Sequence, residues 1–168
     1  MTPVFGITGW KNSGKTTLTE RLVAIFSGRG FRVATVKHAH HSFDIDQPGT
    51  DSFRHRAAGA IETAVVSGRR WALMHELRDE EEPGLPEILA RLTPCDLVLV
   101  EGFKNEPHPK IECRMLDARD RTPLASLVPG VVAIAADHLV EEGLPLFMLD
   151  DVEAIADFIA RHVGLRNR

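Results

Sequence analysis

The chain has 168 residues, of which 43% are hydrophobic and 26% charged, and its formal net charge is −4. This is the length of about one domain, large enough for a single α/β core, with the composition of a soluble globular protein. The acidic balance speaks against a general nucleic-acid binder, and no apolar run has the length of a membrane span.

The N-terminus lacks the basic and apolar stretches of a secretion signal, so the sequence predicts a cytoplasmic protein. Val4-Phe5-Gly6-Ile7-Thr8 has the pattern of a short buried parallel strand. It leads into Gly9-Trp10-Lys11-Asn12-Ser13-Gly14-Lys15-Thr16-Thr17, which fits the phosphate-loop pattern G-x-x-x-x-G-K-[ST]. Such a loop needs glycines where the backbone curls, so that successive N–H groups face phosphate oxygens. Lys15 is expected to reach the β- and γ-phosphates and the Thr16 hydroxyl to ligate Mg²⁺. Leu18, Leu22, Ile25 and Phe26 fall on one face of a following helix, and Gly28 and Gly30 stop it. The positive end of that helix points at the same spot.

A second strand is predicted over 31–36. Its carboxyl end runs into Lys37-His38-Ala39-His40-His41, and open α/β sheets bind ligands at that end. His38, His40 and His41 have the chemistry to bind Zn²⁺ or Ni²⁺, and Asp44 and Asp46 to approach Mg²⁺ through water. The same segment reads equally as a loop beside the nucleotide or its acceptor, or as a structural loop. A helix over 51–58 follows the punctuation Pro48-Gly49-Thr50. Two strand-like runs, 61–66 and 71–77, are joined by Ser67-Gly68-Arg69-Arg70, a hairpin signal covering about 60–77. Its edges need cover, either from its own sheet or from a second subunit. The acidic run Asp79 to Glu82 reads as a solvated loop.

A short helix over 86–92 precedes Leu97-Val98-Leu99-Val100-Glu101-Gly102, the most apolar strand and so the expected centre of the sheet. Glu101 ends that strand and is the candidate acid for the Mg²⁺ shell or for orienting a water. Asp96, at the other end, reads as structural. Further strands are predicted over 111–116, 131–135 and 146–149. The last helix spans 152–163, capped by Asp150 or Asp151 and ended by Gly164. Asp137 follows a strand and has two readings: it accepts from guanine N1–H and N2–H₂, or it caps a turn. Cys95 and Cys113 show no metal-motif spacing and read as small buried hydrophobes in a reducing compartment. Residues 1–168 thus read as a single nucleotide-binding domain. The predicted fold is α/β and P-loop NTPase-like, a mostly parallel sheet flanked by helices with an extra β-hairpin.

Several of these stretches together resemble the molybdopterin-guanine dinucleotide biosynthesis adapter proteins, the MobB family. They are the phosphate loop through Leu18, the stretch Val36 to Asp46 with Pro48-Gly49-Thr50-Asp51-Ser52, and Arg70-Trp71-Ala72-Leu73-Met74. Leu99-Val100-Glu101-Gly102-Phe103-Lys104 and Lys110-Ile111-Glu112 complete the set. The resemblance runs from residue 4 to about residue 163. It implies a GTP- and Mg²⁺-binding protein with weak GTPase activity that assists the guanylyltransferase joining GMP to molybdopterin. It also implies a homodimer whose interface includes the hairpin, and loops at 37–46 and 101–110 that sense the nucleotide or face molybdopterin. Lys37 and His38 then join residues 9–17 and Asp137 as nucleotide contacts, Lys15 and Glu101 carry any catalysis, and Thr16, Glu101, Asp44 and Asp46 surround the metal. Thr50 departs from the family pattern, where lysine is frequent. Lys11 stands one place later than the signature lysine of dimerising ATPases. Two other classes fit part of the chain: a GTPase metallochaperone built on His38, His40 and His41, and a small-molecule kinase, for which Arg54, Arg56, Arg69 and Arg70 make no convincing lid.

Overall fold

A computed structural model describes residues 2–39 and 43–166. In chain order its elements are β1 (Val4–Thr8), α1 (Lys15–Gly28), β2 (Val33–Lys37), α2 (Asp51–Ala57), β3 (Glu62–Val66) and β4 (Trp71–His75). They continue with α3 (Leu85–Arg91), β5 (Leu97–Glu101), β6 (Lys110–Arg114), β7 (Val131–Ala136), β8 (Leu146–Met148) and α4 (Val152–Val163). They divide into two compact units, residues 1–38 with 85–168, and residues 39–84.

The first unit is built on a six-stranded sheet in the order β2-β5-β1-β6-β7-β8, every pair parallel. A parallel sheet is covered on both faces, which explains the unbroken apolar run of β5. On one face, Leu18, Leu22 and Phe26 of α1 and Ile155, Ala156 and Ile159 of α4 pack on Phe5, Ile7, Leu99 and Ile111. On the other, Leu85 and the partly buried Ile88 and Leu89 of α3 meet Val36, Val98 and Val100. The strand over 31–36 begins later than its composition suggests. Phe31 is drawn into the α1 core, its N–H bonded to Phe26 O at 3.0 Å and its ring edge-on to Phe26. Asp151, not Asp150, caps α4, accepting from the Ala154 N–H at 3.3 Å.

β5 and β6 lie on either side of β1, yet residues 102–109 alone connect them. Parallel strands usually need a crossover of about a dozen residues or more, commonly a helix. Here a non-helical strap, with a turn closed by the Glu106 N–H on Phe103 O at 3.1 Å, crosses β1 at Gly6. A Cβ at position 6 would stand 2.6 Å from His108 Nε2 and 2.8 Å from Lys110 Cβ. His108 occupies the space that a side chain on β1 would need. Both its ring nitrogens are buried without a hydrogen-bond partner among the described residues, and burial, helped by Lys110, pushes its pKa down to about 4. The ammonium of the fully buried Lys110 donates to Glu106 O at 2.6 Å and Pro129 O at 2.7 Å, which ties the strap to the β6–β7 connection.

The second unit holds α2 and the β3–β4 hairpin. Thr50 caps α2 by accepting from the Phe53 N–H. The hairpin is antiparallel, with Glu62 opposite His75 and Val66 opposite Trp71, and forms its own two-stranded sheet rather than extending the parallel one. Arg56 organises the unit. Its guanidinium meets Asp44 at 2.7 Å, Asp46 at 3.0 Å and Glu76 at 2.7 Å. Val66 and Trp71 on the hairpin are 75% and 68% exposed.

Two outcomes follow for the strap. Gly6→Ala should destabilise the fold by about 1–3 kcal/mol through overpacking against His108 and Lys110; an unchanged urea midpoint would refute the crossing geometry. His108 makes one contribution to the pH dependence, since it titrates near 6.5 when unfolded and about 4 in the fold. Below about 6.5 the unfolded chain binds the extra proton at this site, so the His108 contribution to stability is lost as pH drops from about 6.5 to about 4 and is constant above that window. Urea titrations at several pH values should show a shallower decline in His108→Gln than in the wild type.

Candidate nucleotide site

Parallel pairing of β1 with β5 sets Ile7 opposite Glu101. The loop leaving β1 therefore emerges beside the end of β5. Three residues in that loop have left-handed backbones: Gly9 (φ 147), Asn12 (φ 61) and Gly14 (φ 88). At Gly9 a Cβ would stand 2.6 Å from Cys113 O and against the Ser13 hydroxyl, so only glycine fits. Asn is among the few other residues that tolerate the left-handed region. The turn is closed by the Ser13 N–H on Trp10 O at 3.3 Å.

Lys15 opens α1 and folds back over the loop, donating to Trp10 O at 2.6 Å. Burial lowers its pKa, Glu101 opposes that shift, and Lys104 and Lys37 reinforce it. Thr16 Oγ1 donates to Glu101 Oε1 at 3.2 Å. The Glu101 side chain is 12% exposed, and Lys37 Nζ lies 3.6 Å from Oε1. Thr17 is exposed on the same turn, and no acidic residue stands in the first turn of α1 to offset its positive end. The buried hydroxyls of Thr8 and Ser13 have no hydrogen-bond partner among the described residues, and buried polar groups are rarely left so.

This donor set suits a polyanion carrying a hard cation. Loop N–H groups and Lys15 have the chemistry to bind phosphate oxygens, and Thr16 and Glu101 carry oxygens of the kind that Mg²⁺ takes alongside phosphate. Among the described residues, no group of three or more His, Cys, Asp or Glu side chains is placed to hold a metal by itself.

The remaining sequence candidates separate. His38 donates its backbone N–H to Glu101 O at 2.8 Å, and its ring stacks on Phe103 with centroids 4.7 Å apart. Gly102 permits this approach, since a Cβ there would lie 2.7 Å from His38 Cβ. His40 and His41 lie outside the described residues. Asp44 and Asp46 belong to the second unit, where Arg56 engages both. Asp137 follows β7; its two oxygens accept from the Leu116 N–H at 3.0 and 3.2 Å, and its pKa is lowered chiefly by His138 Nδ1 at 2.7 Å. Cys95 and Cys113 are both free thiols. Burial pushes the Cys113 thiol up to about 12, which leaves it no nucleophile.

Two features were not legible in the sequence. The Trp10 indole N–H donates to Thr122 O at 2.7 Å, and Lys104 Nζ stands 4.3 Å from the centre of the same ring. Glu112, 1% exposed, accepts from the N–H groups of Leu124 at 2.9 Å and Ala125 at 3.1 Å and pairs with Arg114, which also holds Glu142. These contacts fix the irregular connection between β6 and β7 against the phosphate loop. Only the Lys110-Ile111-Glu112 run hinted at them.

Comparison with known proteins gives the chain's family and fold relatives. Residues 4–137 match the model of the family described as Molybdopterin guanine dinucleotide synthesis protein B. The chain is 39% identical to the molybdopterin-guanine dinucleotide biosynthesis adapter protein of Escherichia coli (strain K12), over 99% of this chain and 97% of that one. It is 40% identical to the adapter protein of Haemophilus influenzae, over 94% of this chain and 87% of that one. Among solved structures, Bacillus subtilis MobB superimposes with a TM-score of 0.77 at 28% identity, covering 98% and 99% of the two chains. The MobB homologue from Bacillus stearothermophilus does so with a TM-score of 0.70 at 31% identity, covering 97% and 99%. The chain belongs to the MobB family, the adapter proteins of molybdopterin-guanine dinucleotide biosynthesis.

Proposed function

We propose that this protein binds GTP with Mg²⁺ on the loop 9–17 and, in that form, assists the guanylyltransferase that joins GMP to molybdopterin. The observation that carries the nucleotide part is the Thr16–Glu101 hydrogen bond beneath Lys15, which brings the metal-side hydroxyl and acid to the mouth of a phosphate loop. Bound Mg²⁺ would neutralise phosphate charge. Lys15 and the loop N–H groups bind the polyphosphate. Thr16 and Glu101 hold the metal side, Glu101 also orients water for weak hydrolysis, and Lys37 balances the Glu101 charge. Arg56 already engages Asp44 and Asp46, so the metal role goes to Thr16 and Glu101 alone. The family and its relatives' names support guanine as the base and the guanylyltransferase as the partner; Asp137, just after β7, is proposed as the base reader.

Lys15→Ala should weaken GTP binding about a hundredfold or more, as expected when two charge-assisted contacts of ~1.5–3 kcal/mol each are lost. Its unfolding midpoint should stay close to wild type. Calorimetric titration with GTP and with ATP checks both claims at once: affinity within about threefold of wild type refutes the loop assignment, and equal wild-type affinities refute the guanine assignment.

Glu101→Gln keeps the shape of the side chain and removes its charge. The Mg²⁺ concentration needed for half-maximal GTP binding should rise about tenfold or more. An unchanged Mg²⁺ titration would remove Glu101 from the site.

The protein is further proposed to work as a homodimer through the exposed hairpin, whose apolar surface and free edges need cover. Trp71→Asp should convert a dimer to a monomer in sedimentation velocity. A variant that sediments like a dimeric wild type would exclude this face.

A further inference from the structure

Beside the phosphate loop lies a second cleft of about 790 Å³, lined by Trp10, Lys11, Asn12, Arg119, Asp120, Arg121 and Thr122. Its charge is unbalanced. Lys11, Arg119 and Arg121 are exposed and form no ion pair among the described residues, and Asp120 is the cleft's one carboxylate. That carboxylate is itself committed. It accepts the Thr122 N–H at 2.9 Å, and this bond is the chief reason its pKa is lowered; Lys104 contributes to the same shift. Unpaired cations sharing one concave polar surface repel each other, and an anion relieves that repulsion.

The walls are anchored. Thr122 is tied to the Trp10 indole at 2.7 Å, and Lys104 covers a face of that ring at 4.3 Å. Just beyond it, Leu124 and Ala125 are held by the buried Glu112. The arginines therefore stand on a loop fixed at both the phosphate-loop side and the core side. Fixing the backbone reduces the ordering cost of binding. Arginine forks match phosphate oxygens in a planar, two-point way that lysine does not.

We propose that this cleft binds the phosphomonoester end of a second small molecule, held beside the nucleotide. Arg119 and Arg121 take the phosphate, Lys11 adds charge from the loop tip, and the Trp10–Thr122 bond fixes the wall between the two ligands. This rests on the nucleotide reading of the loop 9–17. It adds an acceptor-side subsite that keeps a phosphorylated molecule next to the bound polyphosphate.

The test uses the full chain, loaded with Mg²⁺ and a non-hydrolysable GTP analogue, titrated calorimetrically with ribose 5-phosphate and, as a control, ribose. Ribose 5-phosphate should bind with one-to-one stoichiometry, and ribose should not. Arg119→Gln/Arg121→Gln should weaken the phosphomonoester about tenfold or more while changing affinity for the GTP analogue less than about twofold. Raising the salt concentration should weaken the phosphomonoester in the wild type, because these cations are exposed. If the double variant instead loses affinity for the GTP analogue, the cations serve the nucleotide's own phosphates and the subsite is refuted. Absence of ribose 5-phosphate binding, or binding unchanged by the double substitution, refutes it as well. Failure of the wild type to bind the GTP analogue would overturn the reading of the loop instead. The phosphomonoester titration is then read on Lys15→Ala with and without the arginine substitutions. Loss on substitution supports the subsite, and no loss overturns it. Both arginines are exposed and form no ion pair among the described residues, so thermal melts of the double variant should overlay the wild type.

Discussion

The site depends on one register. Because β1 pairs in parallel with β5 so that Ile7 faces Glu101, a hydroxyl at the start of α1 meets a carboxylate at the end of another strand. The two residues are far apart in the chain, and neither is positioned by its own loop alone. Shifting the pairing by one residue would turn Phe5 and Ile7 away from α1 and α4 and move Glu101 out of reach of Thr16. Core packing thereby enforces the chemistry: the same alternation that buries Phe5 and Ile7 aligns the strand end.

How much of this was legible in the sequence follows from the range of the interactions. The phosphate loop, its flanking strand and its helix are local, and glycines at positions 9 and 14 announce the backbone they adopt. The apolar run at 97–100 marked the central strand because burial on two faces leaves no room for alternation. The hairpin was also readable, though its sheet partnership was not, since a strand pattern does not name its neighbour. What escaped was tertiary. Trp10 reaches Thr122, and Glu112 reaches Leu124 and Ala125 through backbone groups that carry no residue signature. Asp137 shows the converse. Its place after a strand was clear, but its bonds to Leu116 and His138 depend on how two loops meet.

The second unit is organised on a different principle from the first. α2 contributes no buried residue, and Arg56 gathers carboxylates from the chain before the helix and from β4's end. Small units that bury little apolar surface need other ties. Here a guanidinium with its fixed fork of donors holds Asp44, Asp46 and Glu76 in one cluster, a task lysine's single ammonium would not perform. The carboxylates that looked available for a metal are, in this arrangement, what keeps the unit together.

The strap over Gly6 also constrains the order of assembly. β5 and β6 are joined across β1, so the first strand synthesised lies in a slot whose two walls are made much later. With residues 102–109 pinned through Lys110, β1 cannot enter last without passing beneath a closed bridge. It must already be in place, or arrive together with its neighbours, when the strap settles. Pairings such as Val4 with Val98 are long-range, and loops of that span close slowly. Formation of the central sheet is therefore expected to be the late, concerted step in folding, with α1 and α4 waiting on it for a surface to cover.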